Sequence, residues 1–206
     1  HLIGQAKKYA VSVQCGKEAT VETIKEFAPE GVILANGAKD EFLQIPGVGN
    51  NHLMEIRDAF NETGNLGTNV AIVGGGPEGC ELADYLLTQG KQVTIIEMRR
   101  VLGLGLVAHP RYHISERLKK AGAKILINTK VLEVGHGFIV VNRRGEDKQR
   151  LDGFDSIVMS CLHKPNDFLA EPLREWIKEV YVVGDAVQGR TALEAVAEGA
   201  SAALKL

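Results

Sequence analysis

The feature that most constrains this chain is a glycine-rich turn between a predicted strand and a predicted helix. The apolar run 70–73 is too short for a helix, so it predicts a buried strand, and Gly74-x-Gly76-x-x-Gly79 follows directly. Residues 79–87 then place small or apolar side chains at the i, i+3, i+4, i+7 and i+8 positions of an amphipathic helix. A strand, a tight turn and a helix in this order predict an α/β unit.

The rest of the chain continues the alternation of strands and helices. Further strands are predicted at 11–15, 31–35, 92–97, 124–128, 156–161 and 180–183, with a hairpin at 131–134 and 138–142. Further helices are predicted at 2–10, 20–27, 113–121 and 191–204, the second capped by Thr20. This order predicts a mostly parallel sheet covered on both faces, a Rossmann-like three-layer α/β class.

The three glycines suit a bound diphosphate. A helix start exposes unpaired N–H groups and a partial positive charge. Gly74 permits the tight turn, Gly76 lets a phosphate approach the backbone, and Gly79 lets the helix pack closely on the strand. Glu97 ends the next predicted strand, where a carboxylate can accept hydrogen bonds from both ribose hydroxyls of an adenosine. The pattern predicts a dinucleotide site; the alternative is a tight turn that binds nothing.

The residues after that strand bear on the choice of nicotinamide cofactor. Glu97 repels a 2′-phosphate and so favours NAD(H). Arg99 and Arg100 follow at once and could instead grip that phosphate, or lie in a solvated loop. The carboxylate rule therefore predicts NADH, with NADPH as the alternative.

A second candidate site precedes the last predicted helix. The strand 180–183 delivers Asp185 to the mouth of the sheet, next to a helix N-terminus. An Asp at such a point can hydrogen-bond a ribose or polyol chain. Asp is also a common helix cap, and the spacing favours neither interpretation.

Composition excludes several classes of protein. Lys and Arg number 24 and Asp and Glu 26, so there is no basic excess to bind nucleic acid or an anionic membrane. No apolar run approaches the roughly 18 residues that cross a bilayer, and no signal peptide opens the chain. The three cysteines lie far apart, which excludes a disulfide framework and makes a reducing cytoplasm the expected location. Four histidines without metal-ligand spacing are expected on the surface or in loops: His109, His113, His136 and His163.

Nearly the whole chain resembles flavoproteins that have two dinucleotide-binding domains. Residues 31–38 resemble their Val-x-x-Ala-Thr-Gly-Ala strand, 70–97 their inserted NAD(P)H domain, 157–166 its returning strand, and 180–206 their terminal Tyr-x-x-Gly-Asp-Ala segment. The ending Gly-Asp-Ala-Val-Gln-Gly-Arg-Thr-Ala-Leu is especially similar to NADH:flavin oxidoreductases of the dienoyl-CoA reductase and trimethylamine dehydrogenase group, whose fold is like that of pyridine nucleotide-disulfide oxidoreductases.

That resemblance implies an NAD(P)H-binding domain, residues 66–168, inserted into a partial FAD-binding domain, residues 1–65 and 169–206. Hydride would pass from the reduced nicotinamide to the flavin without a side-chain acid, so no catalytic residue and no metal ligand is assigned. The candidate nicotinamide-nucleotide residues are Gly74, Gly75, Gly76, Pro77, Glu78, Gly79, Glu97, Met98 and Arg99. The candidate FAD residues are Ala35, Asn36, Gly37, Gly184, Asp185, Thr191 and Ala192.

The chain departs from the family in what it lacks. The family's FAD domain begins with its own glycine-rich unit, which is absent here together with the FMN barrel and the cysteine-rich iron–sulfur motif. Leu162 stands where the returning strand usually has Gly, and Asn36 where Thr is usual. The opening at His1 within a predicted helix indicates a fragment.

These departures set the functional expectation. The 206 residues alone should bind FAD weakly or not at all and be inactive, with a missing N-terminal flavin and substrate domain of the same protein as their partner. A homo-oligomer is a further option. A disulfide reductase would need a redox-active cysteine pair, which is absent. The alternative from another class is a non-catalytic dinucleotide-sensing or interaction module, because one fold can host unrelated roles.

Overall fold

Helices and strands alternate along most of the chain in the computed structural model, which describes residues 2–42, 44–49, 53–160 and 162–206. The helices are α1 (Leu2–Lys8), α2 (Val21–Phe27), α3 (Ile56–Asn61), α4 (Pro77–Thr88), α5 (Ala108–Lys120), α6 (Ala170–Arg174) and α7 (Ala192–Ala203). The strands are β1 (Gly31–Leu34), β2 (Ala38–Glu41), β3 (Leu53–Glu55), β4 (Asn69–Val73), β5 (Gln92–Ile96), β6 (Lys124–Leu126), β7 (Thr129–Gly135), β8 (Phe138–Arg143), β9 (Lys148–Asp152), β10 (Ser156–Met159), β11 (Leu162–Pro165) and β12 (Glu179–Val182).

The chain divides into two compact units. The central unit spans Lys39–Lys164, and the terminal unit consists of the chain up to Ala38 and from Pro165 onwards. β3 pairs with β10 inside the central unit, and the buried Ile56 and Ala59 of α3 join its helical core. The central unit therefore begins well before residue 66, where the resemblance places the start of the inserted domain.

A five-stranded parallel sheet in the order β3-β10-β4-β5-β6 forms the middle layer of the central unit. Side chains alternate between the two faces of β4. Val70 and Ile72 pack with α3, α4 and α5, whereas Ala71 and Val73 pack with the antiparallel sheet β7-β8-β9. The unit therefore has three layers around a sheet that is buried on both faces, which confirms the predicted Rossmann-like α/β class.

The terminal unit is built on a two-stranded parallel sheet of β1 and β12. Leu34 of β1 is buried with Leu173 of α6, and Ile24 of α2 packs against the same cluster. Thr20 caps α2 as predicted, because its side chain accepts a hydrogen bond from the N–H of Thr23 at 3.3 Å. The other face of the unit exposes apolar side chains of α7, among them Leu193 and Val196.

Several local predictions differ from the structure. Residues 11–15 form no strand and leave Val11 and Val13 exposed. The described residues also form elements that were not predicted from the sequence, namely α3, α6, β2, β3, β9 and β11. The residues of β9 are mostly charged and exposed, so they gave no apolar alternation. α5 begins at Ala108 rather than at residue 113, because Pro110 lies in its first turn, where a missing N–H costs nothing. No helix among the described residues has the length and apolar character needed to span a bilayer.

Candidate nucleotide-binding sites

At two of the three motif glycines, Gly74 and Gly79, the structure leaves no room for a side chain. Gly74 has a φ of +107°, and a Cβ there would come within 2.8 Å of the Cβ of Ser160. A Cβ on Gly79 would overlap the backbone carbonyl oxygen of Gly74, so α4 can approach β4 this closely only with glycine. These conformations match the predicted roles of Gly74 in the turn and of Gly79 in helix–strand packing.

Gly76 differs from the other two, because the space beside it is open. A Cβ on Gly76 would meet no atom within 4 Å, and the backbone of this residue is extended, with φ of −67°. Gly76 is the N-cap of α4 and offers no side chain to its first turn. The turn therefore presents bare main chain to an unfilled space, which is the surface that a phosphate group needs.

The first turn of α4 carries free hydrogen-bond donors. Pro77 at the first helical position has no N–H to satisfy, and the N–H of Cys80 donates to the carbonyl oxygen of Gly76 at 3.0 Å. The N–H groups of Gly76, Glu78 and Gly79 donate to no described residue. The start of this 12-residue helix therefore combines three N–H groups without a partner among the described residues with the positive end of the helix dipole.

Glu97 is held at the same turn by main-chain hydrogen bonds. Its Oε2 accepts from the N–H of Gly75 and its Oε1 from the N–H of Arg99, each at 2.7 Å. The residue is only 8% exposed. A carboxylate offers about four lone-pair positions, so each oxygen retains capacity for one ribose hydroxyl. The acid therefore lies where the sequence places it, and its orientation is fixed by the glycine turn.

The arginines after β5 lie next to other basic residues. Met98, Arg99 and Arg100 are exposed. Arg100 lines an open cavity of about 540 Å³ together with Asn128, Arg143, Arg144 and Glu146. Arg143 ends β8 and Arg144 follows it. Neither arginine was predicted from the sequence, because no local spacing connects them to the glycine turn.

Cys80 is a packed thiol beneath the glycine turn. It is fully buried, and its Sγ donates to the carbonyl oxygen of Gly75 at 3.4 Å. Burial raises the pKa of the Cys80 thiol to about 11, so very little of it is the reactive thiolate at neutral pH. Its position next to a candidate cofactor site therefore gives it no nucleophilic role.

This burial gives a direct prediction for alkylation. Iodoacetamide at pH 8 should modify Cys80 more than about tenfold more slowly than the exposed Cys15, since both accessibility and thiolate fraction are low at Cys80. Peptide mass spectrometry over a time course measures the two rates, and unfolding in urea should make them similar. Equal rates in the folded chain would contradict the packing described for Cys80.

Most of the predicted flavin residues lie around one cavity of the terminal unit. The cavity has a volume of about 360 Å³, and six predicted residues line it: Ala35, Gly37, Gly184, Asp185, Thr191 and Ala192. Asn36 does not line it, because its Nδ2 donates to the carbonyl oxygen of Asn166 at 2.5 Å. Arg190 also lines the cavity, although it was not predicted as a site residue from the sequence. Its position directly before Thr191, the N-cap residue of α7, is the sequence feature that could have indicated it.

Gly184 and Asp185, which line this cavity, are held in place by hydrogen bonds. Gly184 adopts a φ of +65°, and its N–H donates to Oε2 of Glu198 at 2.8 Å. That bond, and the pairing of the same side chain with Arg190, hold the pKa of the Glu198 carboxyl below its usual value. Thr191 caps α7, so the alternative that Asp185 is its cap is wrong. Asp185 is exposed and accepts from the N–H of Arg190 at 3.3 Å.

Comparisons with known proteins agree with this architecture. The family model for pyridine nucleotide-disulphide oxidoreductases matches residues 3–200. The chain is 33% identical over 190 residues to a cinnamate reductase of Clostridium sporogenes, covering 89% of the chain and 27% of that protein. It is 28% identical over 204 residues to an NADH oxidase of Thermoanaerobacter brockii, covering 96% of the chain and 31% of that protein.

Solved structures show the same fold. A 2-naphthoyl-CoA reductase superposes with a TM-score of 0.87 at 24% identity, over 99% of this chain and 31% of that one. A histamine dehydrogenase from Rhizobium sp. 4-9 gives 0.79 at 20% identity, over 98% of this chain and 33% of that one. The chain thus spans about a third of the length of these proteins. The resemblance described from the sequence is confirmed, and the chain belongs to the pyridine nucleotide-disulphide oxidoreductase family.

Proposed function

We propose that this chain is the cofactor-binding part of an NAD(P)H-dependent flavin oxidoreductase. The observation that carries the proposal is a set of N–H groups at Gly76, Glu78 and Gly79 that donate to no described residue, at a turn where the space beside Gly76 is open and the carboxylate of Glu97 is anchored. Membership of the family implies NAD(P) and FAD as cofactors. The names of the relatives, a cinnamate reductase and an NADH oxidase, support redox chemistry for the whole protein.

The residues of the central unit would bind and orient the nicotinamide nucleotide. The free N–H groups of the glycine turn would donate to its diphosphate, and Glu97 would accept from its adenosine ribose. β4 lies between β5 and β10 in the parallel sheet, and its carboxyl end leads directly into the glycine turn. Ligands of open α/β sheets bind outside the carboxyl ends of the strands, which is where this turn lies. When bound, the reduced nicotinamide supplies a hydride that the flavin accepts.

The residues of the terminal unit would hold part of the flavin cofactor. The exposed carboxylate of Asp185 would accept from a polyol hydroxyl, and the N-terminus of α7 at Thr191 adds a partial positive charge to the same cavity. The chain has no second glycine-rich turn for the flavin diphosphate. We therefore expect weak or absent FAD binding by these 206 residues alone, and their partner to be a flavin and substrate domain of the same protein.

NADH is the preferred nucleotide in this proposal. Glu97 is buried and anchored at the glycine turn, where it would accept from the adenosine ribose and repel a 2′-phosphate. The similarity to an NADH oxidase supports the same choice. Arg100 and its neighbours keep NADPH as the alternative, because three guanidinium groups line one cavity close to the end of β5.

Calorimetric titration of the 206-residue chain with NADH and with NADPH tests the proposal. We expect NADH to bind with a Kd below about 1 mM, equivalent to about −4 kcal/mol, and NADPH to bind more weakly. Circular dichroism of the same sample establishes that the chain is folded. Failure of both nucleotides to bind a folded chain at millimolar concentration would contradict the proposed function, and tighter binding of NADPH would reverse only the assigned preference.

A further inference from the structure

His163 lies between two carboxylates beside the first turn of α4. Its Nδ1 is 2.9 Å from Oδ1 of Asp40, and its Nε2 is 3.4 Å from Oε1 of Glu78. Arg57 pairs with the other oxygen of Asp40 at 3.1 Å. These four residues line a cavity of about 100 Å³ in the central unit, with Glu55 as the remaining charged residue. We call Asp40, Arg57, Glu78 and His163 the histidine cluster.

The geometry of the histidine cluster suits a protonated imidazole. A neutral imidazole carries one N–H, so it can donate to only one of the two carboxylates that flank His163. The imidazolium carries two N–H groups and a positive charge, so it can donate to Asp40 and also attract the Glu78 carboxylate across 3.4 Å. With His163 protonated, the charges of Arg57 and His163 balance those of Asp40 and Glu78. The side chain of His163 is 35% exposed, so it can exchange protons with solvent.

Glu78 connects this cluster to the proposed nucleotide site. It lies in the first turn of α4, and its own N–H is one of the three free donors that would hold the diphosphate. A carboxylate at a helix N-terminus is favourable until a second anion arrives there, after which the two negative groups repel each other. The ion contact with His163 holds the Glu78 carboxylate toward β11 and offsets its charge.

We propose that His163 is a positioning residue for the nicotinamide nucleotide. Asp40 holds the ring of His163 in place. The imidazolium contacts Glu78 and offsets its negative charge, so that the N-terminus of α4 can accept a diphosphate. The inference rests on the proposed function, since it concerns the same site. It assigns a role to a histidine that sequence spacing had placed among surface or loop residues.

The charges around His163 determine which group its own charge can offset. The groups that face His163 are Asp40 of β2, Glu55 of β3, the Asp40-paired Arg57 of α3, and Glu78 of α4. Of these, Glu78 alone belongs to the helix that would bind the diphosphate, so its negative charge is the one that His163 would offset there.

Calorimetry with NADH on four variants of the 206-residue chain tests the pairing. His163→Ala should weaken binding about tenfold at pH 6.5, because it leaves Glu78 unscreened. Glu78→Gln should bind at least as tightly as the unaltered chain, because the negative charge beside the diphosphate is removed while the N–H of residue 78 remains. The double variant His163→Ala/Glu78→Gln should recover to within about twofold of Glu78→Gln. His109→Ala, which removes an exposed histidine of α5, should change nothing.

Each result of these titrations either supports or overturns the screening of Glu78 by His163. Unchanged binding by His163→Ala, or a double variant as weak as His163→Ala alone, overturns the screening role while the proposed function stands. If His163→Ala fails to fold, His163→Gln takes its place, since glutamine keeps an N–H for Asp40 but carries no charge, and unchanged NADH binding by His163→Gln overturns the proposal. Absence of NADH binding by the folded, unaltered chain overturns the proposed function and this inference together.

Discussion

Replacing Gly76 with valine is expected to weaken NADH binding more than about 100-fold, a loss of about 2.7 kcal/mol, while the chain stays folded. The fold tolerates the change because the backbone of Gly76 is extended and a Cβ there meets no atom within 4 Å. Binding does not tolerate it, because the valine side chain would occupy the space through which a phosphate reaches the N–H groups of the turn. Calorimetry with NADH measures the loss.

Gly64 supplies a matched control for this substitution. It also has open space around its Cβ position and no positive φ, and it lies in the central unit away from the glycine turn. Gly64→Val should therefore bind NADH as the unaltered chain does. A folded Gly76→Val chain that binds NADH with unchanged affinity would show that the diphosphate does not lie against this turn.

Replacing Gly79 with alanine is expected to lower the free energy of unfolding of the central unit by about 2–3 kcal/mol. Two effects oppose each other at this position. Alanine is the better helix former by about 1 kcal/mol, which alone would stabilise α4. Its Cβ would overlap the backbone carbonyl of Gly74, and neither that atom nor the Cβ can rotate away. The destabilisation from the overlap with the Gly74 carbonyl should therefore exceed the gain in helix propensity.

Urea denaturation followed by circular dichroism measures this effect, with Gly64→Ala as the control. The control should change the free energy of unfolding by less than about 1 kcal/mol, since no neighbouring atom has to move. A Gly79→Ala chain that is more stable than the unaltered one would mean that α4 can shift away from β4 at little cost. The close helix–strand approach would then not be a requirement of the fold.

The parts of the fold that follow from short-range pattern were predictable from the sequence. β4, the glycine turn, α4 and β5 appear at the predicted places, because apolar period and glycine position both act within about 30 residues. Glu97 follows from the same unit, since it is the first residue after β5. β9 did not follow, because its stability comes from pairing with β8 rather than from burial of its own side chains.

The candidate sites were predictable only where their residues are local in sequence. The histidine cluster brings together Asp40 and His163, which are 123 positions apart, and neither residue has a neighbour that indicates the other. The same holds for Asn36 and Asn166, whose mutual hydrogen bonds hold Asn36 away from the cavity that Asp185 lines. Contacts of this kind arise from tertiary pairing, so periodicity and motif spacing carry no signal for them.

The most direct test of the central claim is a two-dimensional amide NMR titration of the 15N-labelled 22.3 kDa chain with NADH. If main-chain N–H groups at the start of α4 hold the diphosphate, the amide signals of Gly76, Glu78 and Gly79 should shift together and saturate at the Kd found by calorimetry. Binding of NADH that leaves these three signals unchanged, with shifts elsewhere in the chain, would contradict the account.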